Sequence, residues 1–461
     1  MPRWFGSSGI RGSFSSISPQ FSMKLGMAVG RNFTSSKAAY ITSDIRFTSD
    51  LLKSAFISGF AHVSGAIIDI GLCPTPVISH ISSVRDTLGV MVTASHNPPS
   101  NNGFKFFLNG AECGEVFESN VEKSLEYELE RPTFDQSLFH SWENVGVARY
   151  KDSKSFIKDY ISYLFNKIKT KDIDRKVVLD CANNVPNLVS PHTFRKFGNI
   201  RLTTINNTLD ASFPGRPSEP TSKNLQLLKN TVIEENADIG IAHDGDGDRF
   251  AIINEHGEFV NSTTIIDFFL DHLDYSNPNQ RTVVLTSDCS RQGFEIAEKK
   301  GARIKISRIG RNRDFVHDKQ ILFLAEPNKL LFPNFGKWID GLFPVLKLLE
   351  LSGSEKISEI FATYNKRKIL RQAFKISEEK GSMVNNLIQS LPDLWSKDIS
   401  KSSSLDGLKL FFHDKSSVLI RFSGTEPKIK FYIDSDSNTK NESILMRIKD
   451  EFELNSDGSD C

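Results

Sequence analysis

A surplus of either charge is missing from this chain: 57 lysines and arginines stand against 56 acids, a net charge of +1. That balance excludes the broad basic footprint of a dedicated nucleic-acid binder, although local anion sites remain open. Cysteine is scarce. The five residues, Cys73, Cys113, Cys181, Cys289 and Cys461, are scattered and never in CxxC spacing. Neither a disulfide framework nor a zinc site is expected, and reduced thiols in a cytoplasmic protein are. No run of 18 apolar residues occurs, so no membrane span is expected. The start, MPRWFGSSGIRG, lacks the apolar stretch of a signal peptide. It also lacks a preceding strand and G-x-G-x-x-G spacing, so it is no dinucleotide fingerprint.

What is present is a globular composition, 39% hydrophobic and 25% charged over 461 residues. At roughly 100–200 residues per domain, that length predicts three or four domains. Apolar, β-branched runs at 38–44, 88–95, 176–181, 237–244, 249–254 and 283–288 read as buried strands. Between them, 50–63, 156–168, 224–234 and 291–300 read as helices. This alternation predicts an α/β architecture, with ligands beyond the carboxyl ends of the strands. Two strands at 416–422 and 428–434 and a helix near 441–454 predict a small α+β module at the end.

Asp244-Gly245-Asp246-Gly247-Asp248-Arg249 is the strongest local signal. Three carboxylates in five residues repel one another unless a cation sits among them, and oxygen donors suit magnesium or calcium. An EF-hand reading fails. The sixth place of that loop needs glycine and holds Arg249, and the flanks read as strands, not helices. Thr93-Ala94-Ser95-His96-Asn97-Pro98-Pro99 ends another buried run in a stiff turn. Ser95 there has the position of a nucleophile, and Lys105 either supplies positive charge or acts as a general acid/base if nearby cations lower its pKa. Arg421-Phe422-Ser423-Gly424-Thr425-Glu426-Pro427 turns between two strands with a guanidinium, hydroxyls and an open backbone N–H, the makings of a phosphate cradle. Metal, arginine and hydroxyl together are the equipment of phosphoryl transfer.

Together, FGSSGIRG, TASHNPPSNNGFK, FPGRPSEPTSKNL, DGDGDRFAIIN, AEPNKLLFP and RFSGTEPKIKFY, in this order and nearly end to end, resemble the alpha-D-phosphohexomutase family. The family includes phosphoglucomutase, phosphomannomutase and phosphoglucosamine mutase. The resemblance implies three similar mixed α/β domains and a small α+β domain round a central cleft. With the breaks in the sequence it gives 1–148, 149–256, 257–367 and 368–461. It implies that Ser95 is carried as a phosphoserine and that Ser95, Asp244, Asp246 and Asp248 hold one Mg2+. It implies that Arg11, Lys105 and Arg249 surround the reacting phosphate, and that His96 and Asn97 belong to the serine loop. Glu326 and Asn328 would meet the sugar, and Arg421, Ser423, Gly424 and Thr425 would grip the non-reacting phosphate. The implied reaction interconverts hexose or hexosamine 1-phosphate and 6-phosphate through a hexose 1,6-bisphosphate. The implied partner is the small phosphosugar alone, with no nucleic acid or membrane, in a monomer or homodimer.

Three stretches depart from the family pattern. Where the family commonly reads G-E-x-S-G-H, this chain reads Ala325-Glu326-Pro327-Asn328-Lys329-Leu330. The usual histidine is gone, and Lys329 either touches a phosphate or faces solvent. Residues 180–186 lack the usual glycines, and the loop reads as structural. Arg308, Arg311 and Arg313 read as solvated surface charge before they read as extra phosphate contacts. Two alternatives stay open, a phosphosugar phosphatase, which would need water admitted to the phosphoserine, and a non-catalytic phosphosugar-binding paralogue, suggested by the altered sugar loop. Retention of every costly carboxylate argues against the second.

Overall fold

The computed structural model describes residues 4–6, 8–33, 35–63, 65–131, 146–376, 378–422, 428–452 and 459–460. They gather into two compact units. The first holds Met1–Asn261, Arg313–Asp318 and Asn328–Ser358, and the second holds Ser262–Asn312, Lys319–Pro327 and Glu359–Cys461.

The first unit begins with β1 (Ile10–Ser13), α1 (Pro19–Asn32), β2 (Ala39–Ser43), α2 (Ser49–Val63), β3 (Ile67–Leu72), α3 (Thr75–Arg85), β4 (Leu88–Val92), β5 (Asn101–Leu108), β6 (Ala111–Glu112), α4 (Glu115–Glu130) and β7 (Ala148–Tyr150). The strands form one sheet in the order β1-β5-β4-β2-β3-β7, with β6 on β5. Its centre is parallel, β4-β2-β3-β7, and β5 and β1 are antiparallel at one side. Every residue of β2 and β4 is buried, as expected of apolar runs covered on both faces. Local chemistry sets the helix starts: the Ser18 hydroxyl caps α1 by accepting from Phe21 N at 3.1 Å, with Pro19 next in line. The core is aromatic. Phe56 stacks against Phe104 and Phe60, with centroids 5.2 and 6.2 Å away, and each such ring contributes about 1.5–3 kcal/mol by burial.

A second sheet follows, built from α5 (Ser153–Lys167), β8 (Arg175–Asp180), α6 (Ser190–Phe194), β9 (Ile200–Ile205), α7 (Gln226–Glu234), β10 (Ile239–His243), β11 (Phe250–Asn254) and β12 (Phe259–Val260). Its order is β12-β11-β10-β8-β9. β10 runs parallel to β8, and β11 returns antiparallel. The aspartate loop is therefore the turn between two fully buried strands, which removes the helix flanks an EF-hand requires.

The second unit contains α8 (Ser262–His272), β13 (Thr282–Thr286), α9 (Arg291–Lys299), β14 (Arg303–Ser307) and β15 (Ile321–Glu326), with β14-β13-β15 parallel. Next along the chain are β16 (Lys329–Leu331) and α10 (Phe343–Ser352) of the first unit, then α11 (Ile357–Ala362). The remainder is β17 (Lys368–Lys375), α12 (Glu378–Leu394), β18 (Ile399–Ser403), β19 (Leu408–Phe412), β20 (Ser417–Phe422), β21 (Lys428–Ser435), α13 (Asn438–Phe452) and β22 (Ser459–Asp460). These strands make an antiparallel sheet, β18-β19-β20-β21-β17-β22, around a core including Trp395, Phe431 and Phe452. It is the α+β module the sequence predicts.

Two sequence expectations need correction. The strand at 88–95 ends at Val92, because Thr93 turns its hydroxyl back to Ser95 N (2.8 Å) and to the Asp44 carboxylate (2.7 Å). Arg313 is not a solvated charge: its side chain is 7% exposed and pairs with Glu118 at 2.8 Å and Glu112 at 3.7 Å. Cys73, Cys113, Cys181 and Cys289 are free and buried. Among the described residues, no helix is long and apolar enough to cross a membrane.

Candidate active site

Two loops of the first unit meet at Ser95. One follows β4 and the other joins β10 to β11. Ser95 is 1% exposed and takes the left-handed conformation, φ +51°, a strained choice for a non-glycine residue. Its Oγ donates to Asp244 Oδ2 at 2.7 Å. Gly245 permits this approach, since a Cβ there would lie 2.7 Å from Ser95 O.

The strain at Ser95 is held by a buried arginine. Arg46, 2% exposed, pairs with Asp44 at 2.9 Å. Its guanidinium also donates to four carbonyl oxygens of the serine loop: Ser95 at 2.7 Å, Asn97 at 2.8 Å, Pro98 at 2.5 Å and Asn101 at 2.9 Å. Ser218, from the FPGRPSEP stretch, donates a further hydrogen bond to Ser95 O at 2.8 Å. Removing one partner of a buried pair such as Asp44–Arg46 costs about 3–5 kcal/mol.

The aspartate loop carries the charge. Lys105 projects from β5, is 1% exposed, and bridges Asp246 Oδ2 at 2.6 Å and Asp248 Oδ2 at 2.5 Å. Burial pushes its pKa down, but the two carboxylates outweigh burial and carry it upward. This direction favours the charge-supplying reading of Lys105. Burial likewise opposes ionisation of Asp246, yet Lys105 and the Thr75 hydroxyl hold its pKa below the usual carboxylate range. Burial first, then the neighbouring Asp246 and Asp248, push Asp244 well above it. Arg249 N donates to Asp244 Oδ1 at 3.0 Å.

Arg11 reaches the same cluster from β1. Its strand pairs with β5 with Arg11 opposite Gly103, where a Cβ would overlap Ile10 O. Arg11 is half-buried and interacts electrostatically with Arg249, Asp246 and Asp248; burial, then Arg249, lowers its pKa. His96 Nδ1 lies 3.4 Å from Ser95 Oγ. Burial, then Arg249, Arg11, Lys329 and Lys105, push its pKa far down, so it is a neutral imidazole. Lys329 is half-buried and acts electrostatically on His96, whereas its neighbour Asn328 is exposed with φ +67°.

The donor set fits a hard divalent cation. One oxygen from each of Asp244, Asp246 and Asp248 lies within 4.8 Å of the others. Asp246 Oδ1 and Asp248 Oδ1 are buried without a hydrogen-bond partner among the described residues. Such orphaned acceptors are costly unless a cation takes them.

In the second unit, Glu326 ends β15 and accepts from Gly310 N at 2.8 Å. Asp288, buried beyond the carboxyl end of the neighbouring β13, interacts electrostatically with it. Arg421, on β20, faces Asp406 at 3.4 Å. Ser423, Gly424 and Thr425 lie outside the described residues. The structure thus gathers Ser95, His96, Lys105, Arg11, Arg249 and the three aspartates into one site, while Glu326 and Arg421 belong to the other unit. Sequence reasoning missed Arg46, Ser218 and Thr75. The signals were faint: a charged Asp-Ile-Arg at a strand end, and a threonine between two prolines ahead of an apolar run. The loop at 180–186 manages without glycine by placing Ala182 and Asn183 at φ +58° and +54°.

Comparison with known proteins gives the family. The chain matches phosphoglucomutase/phosphomannomutase alpha/beta/alpha domain I over residues 2–132, domain II over 155–257 and the C-terminal domain over 368–451. It is 33% identical over 449 residues to a phosphopentomutase of Thermococcus kodakarensis, covering 96% of both chains. It is 32% identical over 447 residues to a probable phosphoglucosamine mutase of Methanobrevibacter smithii, covering 95% of this chain and 96% of that one. Among solved structures, a phosphoglucomutase/phosphomannomutase family protein of Burkholderia thailandensis shares the fold with a TM-score of 0.82 at 22% identity, over 97% of this chain and 96% of the other. The chain belongs to the phosphoglucomutase/phosphomannomutase, or alpha-D-phosphohexomutase, family and is a phosphosugar mutase.

Proposed function

We propose that Ser95 carries the phosphoryl group and that the substrate is a hexose or hexosamine 1- or 6-phosphate. The observation that carries this reading is the buried Ser95 Oγ bonded to Asp244, inside a cluster that also holds Lys105, Arg249 and Arg11. In the forward step the Ser95 Oγ–phosphorus bond breaks as a bond forms from phosphorus to the free sugar hydroxyl. The hydroxyl's proton ends on Ser95 Oγ, and His96 Nδ1, neutral and 3.4 Å away, flanks that oxygen. The resulting 1,6-bisphosphate turns and returns its other phosphate to Ser95. Lys105, Arg249 and Arg11 offset the charge spread over the phosphoryl oxygens. Asp244, Asp246 and Asp248 would hold magnesium, which supplies further positive charge to those oxygens when bound.

Glu326, Asn328 and Arg421 are assigned to the sugar and its far phosphate, with Ser423, Gly424 and Thr425. We assign the serine, metal, sugar and phosphate loops to domains 1–148, 149–256, 257–367 and 368–461. The enzyme is placed in the cytoplasm, as a monomer or homodimer.

The test of the carrier is intact mass of the purified protein. One added phosphate is expected, lost in Ser95→Ala together with turnover; a fully active Ser95→Ala would overturn the assignment. A second substrate reading, a pentose phosphate, is favoured by the similarity to the Thermococcus phosphopentomutase. Turnover of glucose, mannose, glucosamine and pentose 1-phosphates, each with magnesium and its bisphosphate, separates the two readings.

A further inference from the structure

Asp246 is gripped by a residue that takes no part in the chemistry described above. Thr75 is the first residue of α3, fixed between Pro74 and Pro76 and 2% exposed. Its Oγ1 donates to Asp246 Oδ2 at 2.5 Å, and its backbone N donates to Asp246 O at 2.9 Å. The same Oδ2 accepts from Lys105 at 2.6 Å. Two donors therefore occupy one oxygen of this carboxylate, and the other, Oδ1, is buried without a hydrogen-bond partner among the described residues.

We propose that Thr75 is a positioning residue for cation binding: with Lys105 it ties down Asp246 Oδ2 and so presents Oδ1 to the metal. The proposal rests on reading Asp244, Asp246 and Asp248 as a divalent-cation site. Without the hydroxyl, Oδ2 keeps only the lysine, and the carboxylate can rotate about its terminal bond, which has a broad, two-fold preference. Either oxygen then turns toward the site, and the entropy of fixing one orientation falls on the binding step. The proline flanks matter because they hold the Thr75 backbone in one place. The hydroxyl is thereby aimed before the ion arrives. Lys105 cannot substitute for it, since the ammonium is shared with Asp248 Oδ2.

Partners of this kind outside the ligand shell typically change metal affinity by about 10–100-fold. The experiment is titration of the full-length protein with Mn2+ and Mg2+ alone, read by calorimetry and by the rise in melting temperature over an EDTA control. Thr75→Val, which keeps the shape and loses the hydroxyl, is expected to bind about 10-fold or more weakly. Thr75→Ser is expected to restore affinity to within about threefold of the parent, because it returns the donor. The proposal is overturned if Thr75→Val binds within threefold of the parent, or if Thr75→Ser binds as weakly as Thr75→Val. It is also overturned if the hydroxyl-free variant melts lower by the same amount in EDTA and in cation, because that pattern is a fold effect alone. Should Thr75→Val not fold, Thr75→Ala is held to the same thresholds, and if neither folds the role is structural. Failure of the parent itself to bind either cation would instead remove the metal-site reading.

Discussion

Arg46 and Arg421 are both arginines tied to an aspartate, and they are held very differently. Arg46 is buried, pairs with Asp44 at 2.9 Å and satisfies four carbonyl oxygens of the serine loop. Arg421 has a side chain 21% exposed and faces Asp406 at 3.4 Å. The difference separates two tasks. The first arginine fixes a strained nucleophile and has no guanidinium face left for a ligand. The second has, among the described residues, only the Asp406 contact on its fork, which suits the proposed phosphate grip, and a partly exposed pair at that distance is cheap to exchange. On the proposed function, the geometry around the reacting serine is built in advance, and the arginine assigned to the far phosphate is held lightly.

Substitutions can break that contrast. The largest effect is expected from Ser95→Ala, which removes the proposed acceptor of the phosphoryl group and should lower kcat by about 10³-fold or more in a coupled mutase assay. Arg46→Met should destabilise by about 3–5 kcal/mol, leaving Asp44 buried and unpaired. Chemical denaturation measures that loss, and if it proves below 1 kcal/mol the prebuilt view of the serine loop fails. Arg421→Lys should instead leave stability within about 0.5 kcal/mol and raise KM by about 10-fold, since a point charge replaces a bidentate fork. A fall in kcat at unchanged KM would contradict the division of labour.

The smallest effect concerns pH. His80 lies on α3 near Tyr160, Tyr163 and Trp338. Burial lowers its pKa to about 4, against a weaker opposing pull from Asp159. An unfolded histidine titrates near 6.5, so between about 4 and 6.5 the unfolded chain binds more protons than the folded one. Stability from this residue is thus complete above pH 6.5 and is lost as pH falls toward 4. Melting temperatures from pH 7 to pH 5 should fall less in His80→Gln than in the parent.

Much of the chemical end was legible in the sequence, because its groups are close together in the chain. Asp244, Asp246 and Asp248 share one turn between two buried strands, and Ser95 and His96 share another. The supports were not legible, because each acts across a long separation. Arg46 reaches carbonyl oxygens 49 to 55 residues away, and Thr75 reaches an aspartate 171 residues on. Nothing in local pattern announces such pairs. Arg313 misled for the same reason: its basic neighbours suggested solvent, while Glu112 and Glu118, far back in the chain, enclose it. The fold class was legible from the alternation of strand-like and helix-like segments, and strand ends were blurred where polar side chains capture the backbone, as Thr93 does.

The four buried cysteines have a practical consequence. Burial pushes the Cys73 thiol up to about 12 and raises Cys113, Cys181 and Cys289 as well, so all four are slow toward maleimides at neutral pH. With Cys461 replaced by serine, the protein is close to a cysteine-free background without any change to its core. One thiol introduced on the surface of each compact unit would then take a pair of dyes or spin labels cleanly. The buried thiols of the core need no substitution for such labelling.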